Sequence, residues 1–397
     1  MTPLALTAFT ATSCIGRGLD ATLTTLEAQR TALAPCSFET VTLETSVGEV
    51  AGVDDAPLPR ELAEFECRDN RLALLGSAQD GFTAAVQDCA LRYGRGRIGL
   101  WLGTSTSGIL ETELAYRRLD AESGALPADF RYRGAHNTYS LSAFMRRAFN
   151  LAGPAVVISS ACSSSAKVFA SARRAIAAGL VDAAVVGGVD SLCLTTLYGF
   201  HSLQLVARAP CRPFDAARDG ISIGEAAAFA LLERPPASSA ADTVLLLGTG
   251  ETSDAYHMSS PHPEGRGART AMEQALAAAR LTAADIDYLN LHGTGTPGND
   301  AAEAHAVTAV LGTEVPASST KGATGHTLGA AGALEAVICA LALRHGLMPG
   351  GVNTRDLDPQ LKVNYLRDNR RARLKAVMSN SFGFGGSNCS LIFGRAG

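Results

Sequence analysis

Cys162 lies where a predicted strand meets a predicted helix, a position at which a thiol can act as a nucleophile. Residues 155–158 are Ala-Val-Val-Ile and predict a strand, and small residues from Ser163 to about Ala178 predict a helix. The positive end of a helix dipole favours the thiolate over the thiol. First-turn N–H groups can also bind an oxyanion after the sulfur attacks a carbonyl. The alternative is a buried structural cysteine that packs as a small hydrophobic residue.

Two histidines lie at similar junctions further along the chain. His292 ends a predicted strand and is followed by Gly-Thr-Gly-Thr, and His326 precedes a helix predicted from about Leu328 to Arg344. Functional side chains concentrate at the carboxyl ends of strands in layered α/β proteins. Either imidazole can therefore serve Cys162, and the alternative is a histidine that only caps a strand.

Lys321 occupies an apolar stretch, where an ammonium group is costly unless it is paired. We expect a structural ion pair with Glu303 or Glu335 on the helices nearby. The sequence Asp300-Ala-Ala-Glu303 also predicts a helix capping box, which offers Glu303 another role.

Two phenylalanines, Phe382 and Phe384, flank a glycine in the segment 380–388. In a flexible turn they would line a mobile wall of an apolar pocket. The alternative is an ordinary hairpin whose phenylalanines anchor it in the core.

Strand-like and helix-like segments alternate along the chain and predict a layered α/β fold. The segment 234–241 breaks this alternation and predicts a linker between two halves. The N-terminal half, 1–240, carries Cys162. The C-terminal half, 241–397, carries His292, Lys321 and His326. Both halves contain a strand, a serine pair and a small-residue helix, so the two helix N-termini are expected to meet at the centre. The predicted strands are 4–9, 97–103, 155–158, 183–189, 226–232, 243–250, 287–291, 315–318, 374–379 and 389–393.

The composition is that of a large, rather apolar globular protein, with 397 residues, 47% hydrophobic and 18% charged. A net charge of −4 argues against binding to nucleic acid. Nine cysteines without a CxxC pair indicate neither a disulfide framework nor a metal site, and they favour a reducing compartment. No basic segment precedes an apolar one at the start, and no uncharged apolar run reaches membrane-spanning length. We therefore expect a cytoplasmic protein with no membrane span.

Taken together, the motifs resemble those of the β-ketoacyl-acyl-carrier-protein synthases of the thiolase superfamily, in the Cys-His-His class that elongates carrier-bound chains. Cys162 lies in Ala-Cys-Ser-Ser, His292 begins His-Gly-Thr-Gly-Thr, and Lys321 and His326 form Lys-x-x-x-x-His. Arg-Pro-Phe-Asp at 212–215, followed by Arg-Asp-Gly at 218–220, is a further signature. The resemblance covers nearly the whole chain and implies a thiolase-like fold, with two pseudo-symmetric halves in an α-β-α-β-α layered arrangement.

The resemblance implies a decarboxylative Claisen condensation between malonyl-carrier protein and an acyl chain on Cys162. The N–H groups of Cys162 and Phe384 would form the oxyanion hole. His292 and His326 would bind the enolate oxygen, and Lys321 would orient His326. No metal and no cofactor is expected beyond the phosphopantetheine of the carrier protein, which Thr294 and Thr296 would bind.

The acyl pocket is expected to be shaped and gated by Phe382, Phe384, Ile221 and Phe144. Ile221 follows Arg-Asp-Gly where the family often has an aromatic residue, and the segment 203–209 looks short. With the Ser-rich nucleophile element, these departures look more like the synthases of aryl polyene clusters than like housekeeping fatty-acid enzymes.

The expected partners are an acyl carrier protein and a second synthase-like subunit. A local basic patch would dock the acidic carrier, with these candidate residues: Arg68, Arg71, Arg131, Arg133, and more weakly Arg117 and Arg118. The resemblance implies a homodimer, or a heterodimer with a related ketosynthase or chain-length factor. Apolar residues in 102–108 and 135–149 would lie near the interface, where Thr138, Leu141 and Phe144 would help to shape the pocket.

Three alternatives remain open. A Cys-His-Asn condensing enzyme would lack His326, and a degradative thiolase would carry a second reactive cysteine where Cys389 looks like a strand residue. The third is a non-condensing partner that resembles a chain-length factor. Such partners usually lack the nucleophile, which is present here as Cys162.

Overall fold

The computed structural model describes residues 2–235, 240 and 242–396. The N-terminal part contains nine strands and seven helices within the described residues. The strands are β1 (Leu4–Ser13), β2 (Gly16–Arg17), β3 (Ala34–Pro35), β4 (Ser46–Gly48), β5 (Ile98–Gly103), β6 (Ala155–Ile158), β7 (Ala183–Asp190), β8 (Ile223–Gly224) and β9 (Ala226–Glu233). The helices are α1 (Leu19–Glu27), α2 (Arg68–Ser77), α3 (Phe82–Tyr93), α4 (Ile109–Tyr116), α5 (Ser140–Ala148), α6 (Ser164–Ala177) and α7 (Leu194–Ser202).

The C-terminal part repeats the alternation. Its strands are β10 (Val244–Ser253), β11 (Tyr288–Asn290), β12 (Pro316–Ser318), β13 (Leu347–Met348), β14 (Asn364–Tyr365), β15 (Arg370–Arg371), β16 (Ala376–Gly383) and β17 (Ser387–Arg395). Its helices are α8 (Arg266–Ala279), α9 (Pro297–Leu311), α10 (Lys321–Thr324) and α11 (Ala331–His345). All ten strands predicted from the sequence are present with shifts of a few residues. Residues 236–239 and 241 of the predicted linker lie outside the described residues.

One long sheet path joins the two halves in the order β14-β12-β11-β16-β17-β10-β1-β9-β7-β5-β6. In the N-terminal half, β5 is parallel to β6 and β7, and β9 is antiparallel to β7 and β1. In the C-terminal half, β11 is parallel to β12 and β16, and β17 is antiparallel to β16 and β10. The antiparallel pair β1–β10 connects them. This repeated pattern confirms the predicted pseudo-symmetric halves, with β6 equivalent to β12.

The helices form layers around the two halves of the sheet. Helix α6 packs on β5 and β7, α11 packs on β9 and β16, and the two helices contact each other in the central layer. Helices α2 and α5 cover one outer face, and α8 and α9 cover the other. The central contact requires small residues, since a Cβ on Gly332 would lie 2.6 Å from the backbone nitrogen of Ala166. The structure therefore has the predicted α-β-α-β-α arrangement.

Segment Leu328–His345, which contains α11, is the one described helical segment with the length and hydropathy of a membrane span. Of this segment 89% is buried inside the protein. Its apolar surface is thus used by the core, as the buried run from Ala331 to Leu343 shows.

Candidate active site

Cys162 lies in a tight turn between β6 and α6, and its side chain is buried. Ala161 has a positive φ of 52°, which is unfavourable for a residue with a side chain. Neighbouring serines hold the turn: the Ser160 N–H donates to Ser164 Oγ at 2.8 Å, and Ser163 Oγ donates to the Ser160 carbonyl at 3.0 Å. The Ser-rich sequence therefore fixes the turn that presents the sulfur.

His292 and His326 converge on this sulfur. His326 Nε2 lies 3.1 Å from Cys162 Sγ, and the two imidazole rings are 5.3 Å apart and nearly perpendicular. The His326 backbone is fixed by Ser222, whose carbonyl accepts its N–H at 2.7 Å, and by the N–H of Gly224, which donates to its carbonyl at 3.0 Å. The structure thus brings together the three residues that the sequence predicted.

The hydrogen bonds assign the same tautomer to both imidazoles. The Leu328 N–H donates to His326 Nδ1 at 3.3 Å, and the Lys321 ammonium lies 3.4 Å from His292 Nδ1. Because each Nδ1 faces a donor, the ring proton is on Nε2. Burial, and then the Lys321 charge, hold the pKa of both histidines well below the usual range. The site therefore contains two neutral imidazoles with Nε2–H donors.

Lys321 is buried and pairs with the carboxylate of Glu335 on α11, as predicted. Burial raises the pKa of Glu335 to about 6, while the Lys321 charge acts in the opposite direction. The Lys321 ammonium also donates to the His292 carbonyl at 2.6 Å. The prediction that Lys321 orients His326 is therefore wrong, because the Lys321 ammonium contacts His292 instead.

Glu303 does not pair with Lys321, so that part of the ion-pair prediction is wrong. Its carboxylate accepts the N–H groups of His292 at 2.8 Å and Gly293 at 2.7 Å, and it also accepts the Asn380 side-chain amide. Burial raises the pKa of Glu303 to about 7, and these donors oppose the rise. The capping-box prediction is also wrong, since α9 begins at Pro297 and Asp300 lies inside its first turn. Glu303 instead holds the loop that carries His292.

Two further buried carboxylates organise the site and were missed by sequence reasoning. Asp300 accepts the N–H groups of Thr294, Gly295 and Phe214, and so ties the loop after His292 to the Arg-Pro-Phe-Asp segment. Asp190, at the end of β7, accepts the Thr104 hydroxyl at 2.6 Å and the Gly329 N–H at 2.5 Å. An acidic residue at the end of an apolar strand was the signal available for Asp190.

The Cys162 thiol is less acidic than its position suggested. Burial raises its pKa to about 11, although the Lys321 charge and a hydrogen bond from the Phe384 backbone N–H lower it. Desolvation therefore outweighs the electrostatic effects that favour the thiolate. The Phe384 backbone N–H hydrogen-bonds to the sulfur and so lies beside the atom to which the acyl carbonyl would be attached. Its role as an oxyanion donor stays a prediction.

A cavity of about 500 Å³ opens on Cys162 and is mainly apolar. The Thr294 and Thr296 hydroxyls are 2.9 Å apart at its wall, and the Phe384 ring packs on Phe200 at 5.5 Å. The residues predicted for the cavity that do line it are Cys162, Ile221, His292, Thr294, Thr296, His326, Phe382 and Phe384.

Phe144 is not among the lining residues of this cavity. It is fully buried on α5 and packs on Phe65 at 5.8 Å between ring centroids. The predicted place of Phe144 in the pocket is therefore wrong for this cavity, because the apolar face of α5 turns into the core.

Several arginines of the predicted docking patch form contacts within the chain. Arg68 is only 3% exposed and pairs with Glu225, Asp54 and Glu49, so it is unavailable to a carrier protein. Arg71 pairs with Glu66, Arg118 with Asp129, and Arg117 and Arg131 donate to neighbouring residues. The candidate arginines thus include members of structural ion pairs that only the fold reveals.

Fold and site together define a condensing enzyme with a thiolase-like fold and a Cys-His-His centre. The chain belongs to the β-ketoacyl synthase family: residues 1–237 match its N-terminal domain and residues 244–355 its C-terminal domain. It is a β-ketoacyl-acyl-carrier-protein synthase, an acyltransferase that joins a malonyl unit to an acyl chain by decarboxylative condensation.

Individual relatives agree with this assignment. The chain is 35% identical to nodulation protein E of Rhizobium meliloti (strain 1021), over 87% of each chain. It is 33% identical to 3-oxoacyl-[acyl-carrier-protein] synthase 2 of Coxiella burnetii (strain RSA 493 / Nine Mile phase I), over 75% of each chain.

Solved structures show the same fold over the full chain. The ketosynthase ApeO, in complex with its chain length factor ApeC, from Xenorhabdus doucetiae gives a TM-score of 0.90 at 38% identity, over 100% of this chain and 98% of that one. A β-ketoacyl synthase from Burkholderia phymatum STM815 gives 0.86 at 30% identity, over 100% of both chains. These likenesses confirm the predicted thiolase-like fold.

Proposed function

We propose that Cys162 carries the acyl chain and that His292 and His326 stabilise the malonyl-derived enolate. The observation that carries this assignment is the pair of Nε2–H donors beside the sulfur, with His326 Nε2 3.1 Å from Sγ. A nucleophile and two neutral donors at one end of an apolar cavity match the needs of a condensation between thioesters.

In the first step, Cys162 Sγ attacks the thioester carbonyl of an acyl-carrier protein. A carbon–sulfur bond forms, the pantetheine sulfur leaves, and the thiol proton of Cys162 ends on that sulfur. The N–H groups of Cys162 and Phe384 hold the transient oxyanion. One donor of this kind is worth about 3–4 kcal/mol in the transition state.

In the second step, malonyl-carrier protein loses carbon dioxide, and the electron pair of the broken bond moves onto the thioester oxygen. The two Nε2–H groups donate to that oxygen in a site from which water is excluded, where such bonds are stronger than in bulk solvent. In the third step, the enolate carbon attacks the acyl-Cys162 carbonyl. The new carbon–carbon bond replaces the carbon–sulfur bond, and the released Cys162 thiolate takes up one proton from solvent.

The roles of the histidines can be tested separately from that of Cys162. His292→Ala or His326→Ala should slow malonyl decarboxylation by about 100-fold, as the loss of one charge-stabilising donor does elsewhere. The rate of Cys162 acylation, measured by mass spectrometry in a single turnover, should fall much less. Equal loss of both steps would contradict the assignment.

We propose that the site works without a metal ion, although one ligand atom from each of Cys162, His292 and His326 lies within 4.8 Å of the others. The Lys321 ammonium, 3.4 Å from His292 Nδ1, disfavours a second cation there. Dialysis against a chelator should leave condensation unchanged. Activity that is lost on chelation and restored by zinc would contradict this proposal.

We propose further that the chain is the ketosynthase subunit of a heterodimer with a chain-length factor and that it elongates polyene-type chains. The likeness to ApeO, at 38% identity over the full chain, supports this proposal. Strand β6 also supports a second subunit, because it ends the sheet path, it is half-exposed, and an unpaired edge beside the nucleophile requires a cover.

Sedimentation of the chain alone and after co-expression with a chain-length-factor-like protein tests the assembly. We expect a stable heterodimer, and we expect elongation of the carrier-bound acyl chain only when the chain-length-factor-like protein is present. An active homodimer without that partner would contradict the heterodimer but not the condensing chemistry.

We propose a cytoplasmic location, in keeping with nine free cysteines.

A further inference from the structure

Lys167 lies on α6, five residues after Cys162 in the chain, and the condensation steps above leave it without a role. Its half-buried ammonium donates to Ser387 Oγ at 2.7 Å. Among the residues that the structure describes, no carboxylate lies within ion-pair distance of its Nζ; the ion pair formed by this helix is between Arg174 and Glu251. A half-buried cation without a carboxylate is costly, so the bond to Ser387 requires an explanation.

Ser387 begins β17, directly after the turn Phe384–Gly386. This turn is seated against the nucleophile: a Cβ on Gly383 would lie 2.9 Å from the Ser160 carbonyl oxygen and 3.2 Å from the Cys162 nitrogen. The Phe384 N–H reaches the sulfur itself. The bond from Lys167 therefore ties the helix that begins at Cys162 to the turn that supplies the second oxyanion donor.

We infer that Lys167 is a positioning residue that holds the Phe384 N–H in line with the oxyanion at the Cys162 thioester. The bond is charge-assisted and half-buried, which makes it stronger than a neutral pair. It acts on the steps that create an oxyanion at this carbonyl, which are acyl transfer and carbon–carbon bond formation. It does not act on the enolate oxygen, which His292 and His326 bind. The inference rests on the proposed function of Cys162.

This division between steps gives a test that a merely structural role would not pass. Lys167→Met keeps the length of the side chain and removes its donor, and Ser387→Ala removes the acceptor. Each should slow single-turnover acylation of Cys162 by about tenfold, since a small displacement of a reacting group costs this much or more. The double variant should lose no more than either single variant, because both remove the same bond. Lys167→Arg should restore most of the rate.

Malonyl decarboxylation is measured in a Cys162→Ala background, where no acyl transfer occurs. There, Lys167→Met and Ser387→Ala should change the rate by less than about twofold, since the enolate donors are untouched. Arg174→Gln is the matched control, because it breaks another polar contact of α6 away from the turn. This control should leave both steps unchanged.

Equal slowing of both steps, additive losses in the double variant, or an unchanged acylation rate in Ser387→Ala would overturn the inference. Should Lys167→Met fail to fold in thermal unfolding, Ser387→Ala decides alone. Failure of the proposed function is distinguishable, because the wild-type chain would then not be acylated at Cys162 by any acyl-carrier protein.

Discussion

At the scale of single residues, the site depends on burial more than on formal charge. Burial keeps Cys162 as a thiol and both histidines neutral. The Lys321 ammonium, which pairs with Glu335, lies 3.4 Å from His292 Nδ1. A neutral imidazole donor suits an enolate that appears only during decarboxylation.

The acidity of Cys162 can be measured by its reaction with iodoacetamide as a function of pH. Because burial raises its pKa to about 11, the thiolate fraction and the alkylation rate should climb continuously with pH up to that value. The unfolded chain is the control, since an ordinary thiol titrates near about 8.5. A rate that levels off at the ordinary value in the folded protein would contradict the buried thiol.

The Lys321–Glu335 pair should be costly to break from one side only. Lys321→Met leaves the Glu335 carboxylate buried without its partner and should lower the free energy of unfolding by about 3 kcal/mol. Lys321→Met with Glu335→Leu removes both charges and should recover much of this loss. Urea unfolding measures all three proteins, and a double variant less stable than Lys321→Met would argue against the pair.

At the scale of elements, alternating apolar strands and small-residue helices were readable from the sequence. The strand predicted at 155–158 matches β6, and the predicted small-residue helices match α6 and α11 within a few residues. Their positions follow from local patterns, because strand and helix periodicities differ. The motifs around Cys162, His292 and His326 also located the site.

Tertiary contacts were less accessible, since several partners of similar chemistry were available to each residue. Glu303 and Glu335 were equal candidates for Lys321, and only the fold shows that Glu303 faces the backbone of His292. Phe144 was assigned to the acyl pocket and Arg68 to a docking patch, but both are buried inside the protein. An apolar or basic residue in a motif-rich segment does not reveal which face of its helix is covered. Asp190 and Asp300 act by accepting backbone N–H groups, for which the sequence has little signal.

The close contact between α6 and α11 gives a prediction for this scale. Gly332→Ala should lower the free energy of unfolding by about 1–3 kcal/mol, since its Cβ would lie 2.6 Å from the Ala166 nitrogen in a packed core. Gly199→Ala is the matched control in an exposed turn of α7, where a Cβ meets no neighbour. It should be neutral or stabilising by up to about 1 kcal/mol. Equal effects at both positions would show that the helices are not tightly packed.

At the scale of the whole molecule, the pseudo-symmetric halves bring two strand-to-helix junctions to one centre. The N-terminal junction supplies Cys162, and the C-terminal one supplies Lys321 and His326. The predicted reacting groups therefore come from both halves and form a single site. The cavity and the edge strand β6 both adjoin this centre, so the proposed second subunit and carrier-bound substrate would meet near the same sulfur.

Mass spectrometry of Cys162 through one complete turnover tests the central claim most directly. With an acyl-carrier protein, the Cys162 peptide should gain the acyl mass. Addition of malonyl-carrier protein should then remove it, with release of carbon dioxide and a 3-oxoacyl product on the carrier. In Cys162→Ala, the acyl mass and the extended product should both be absent. An acyl group on another cysteine, or continued elongation by Cys162→Ala, would contradict the assignment of Cys162 as the acyl acceptor.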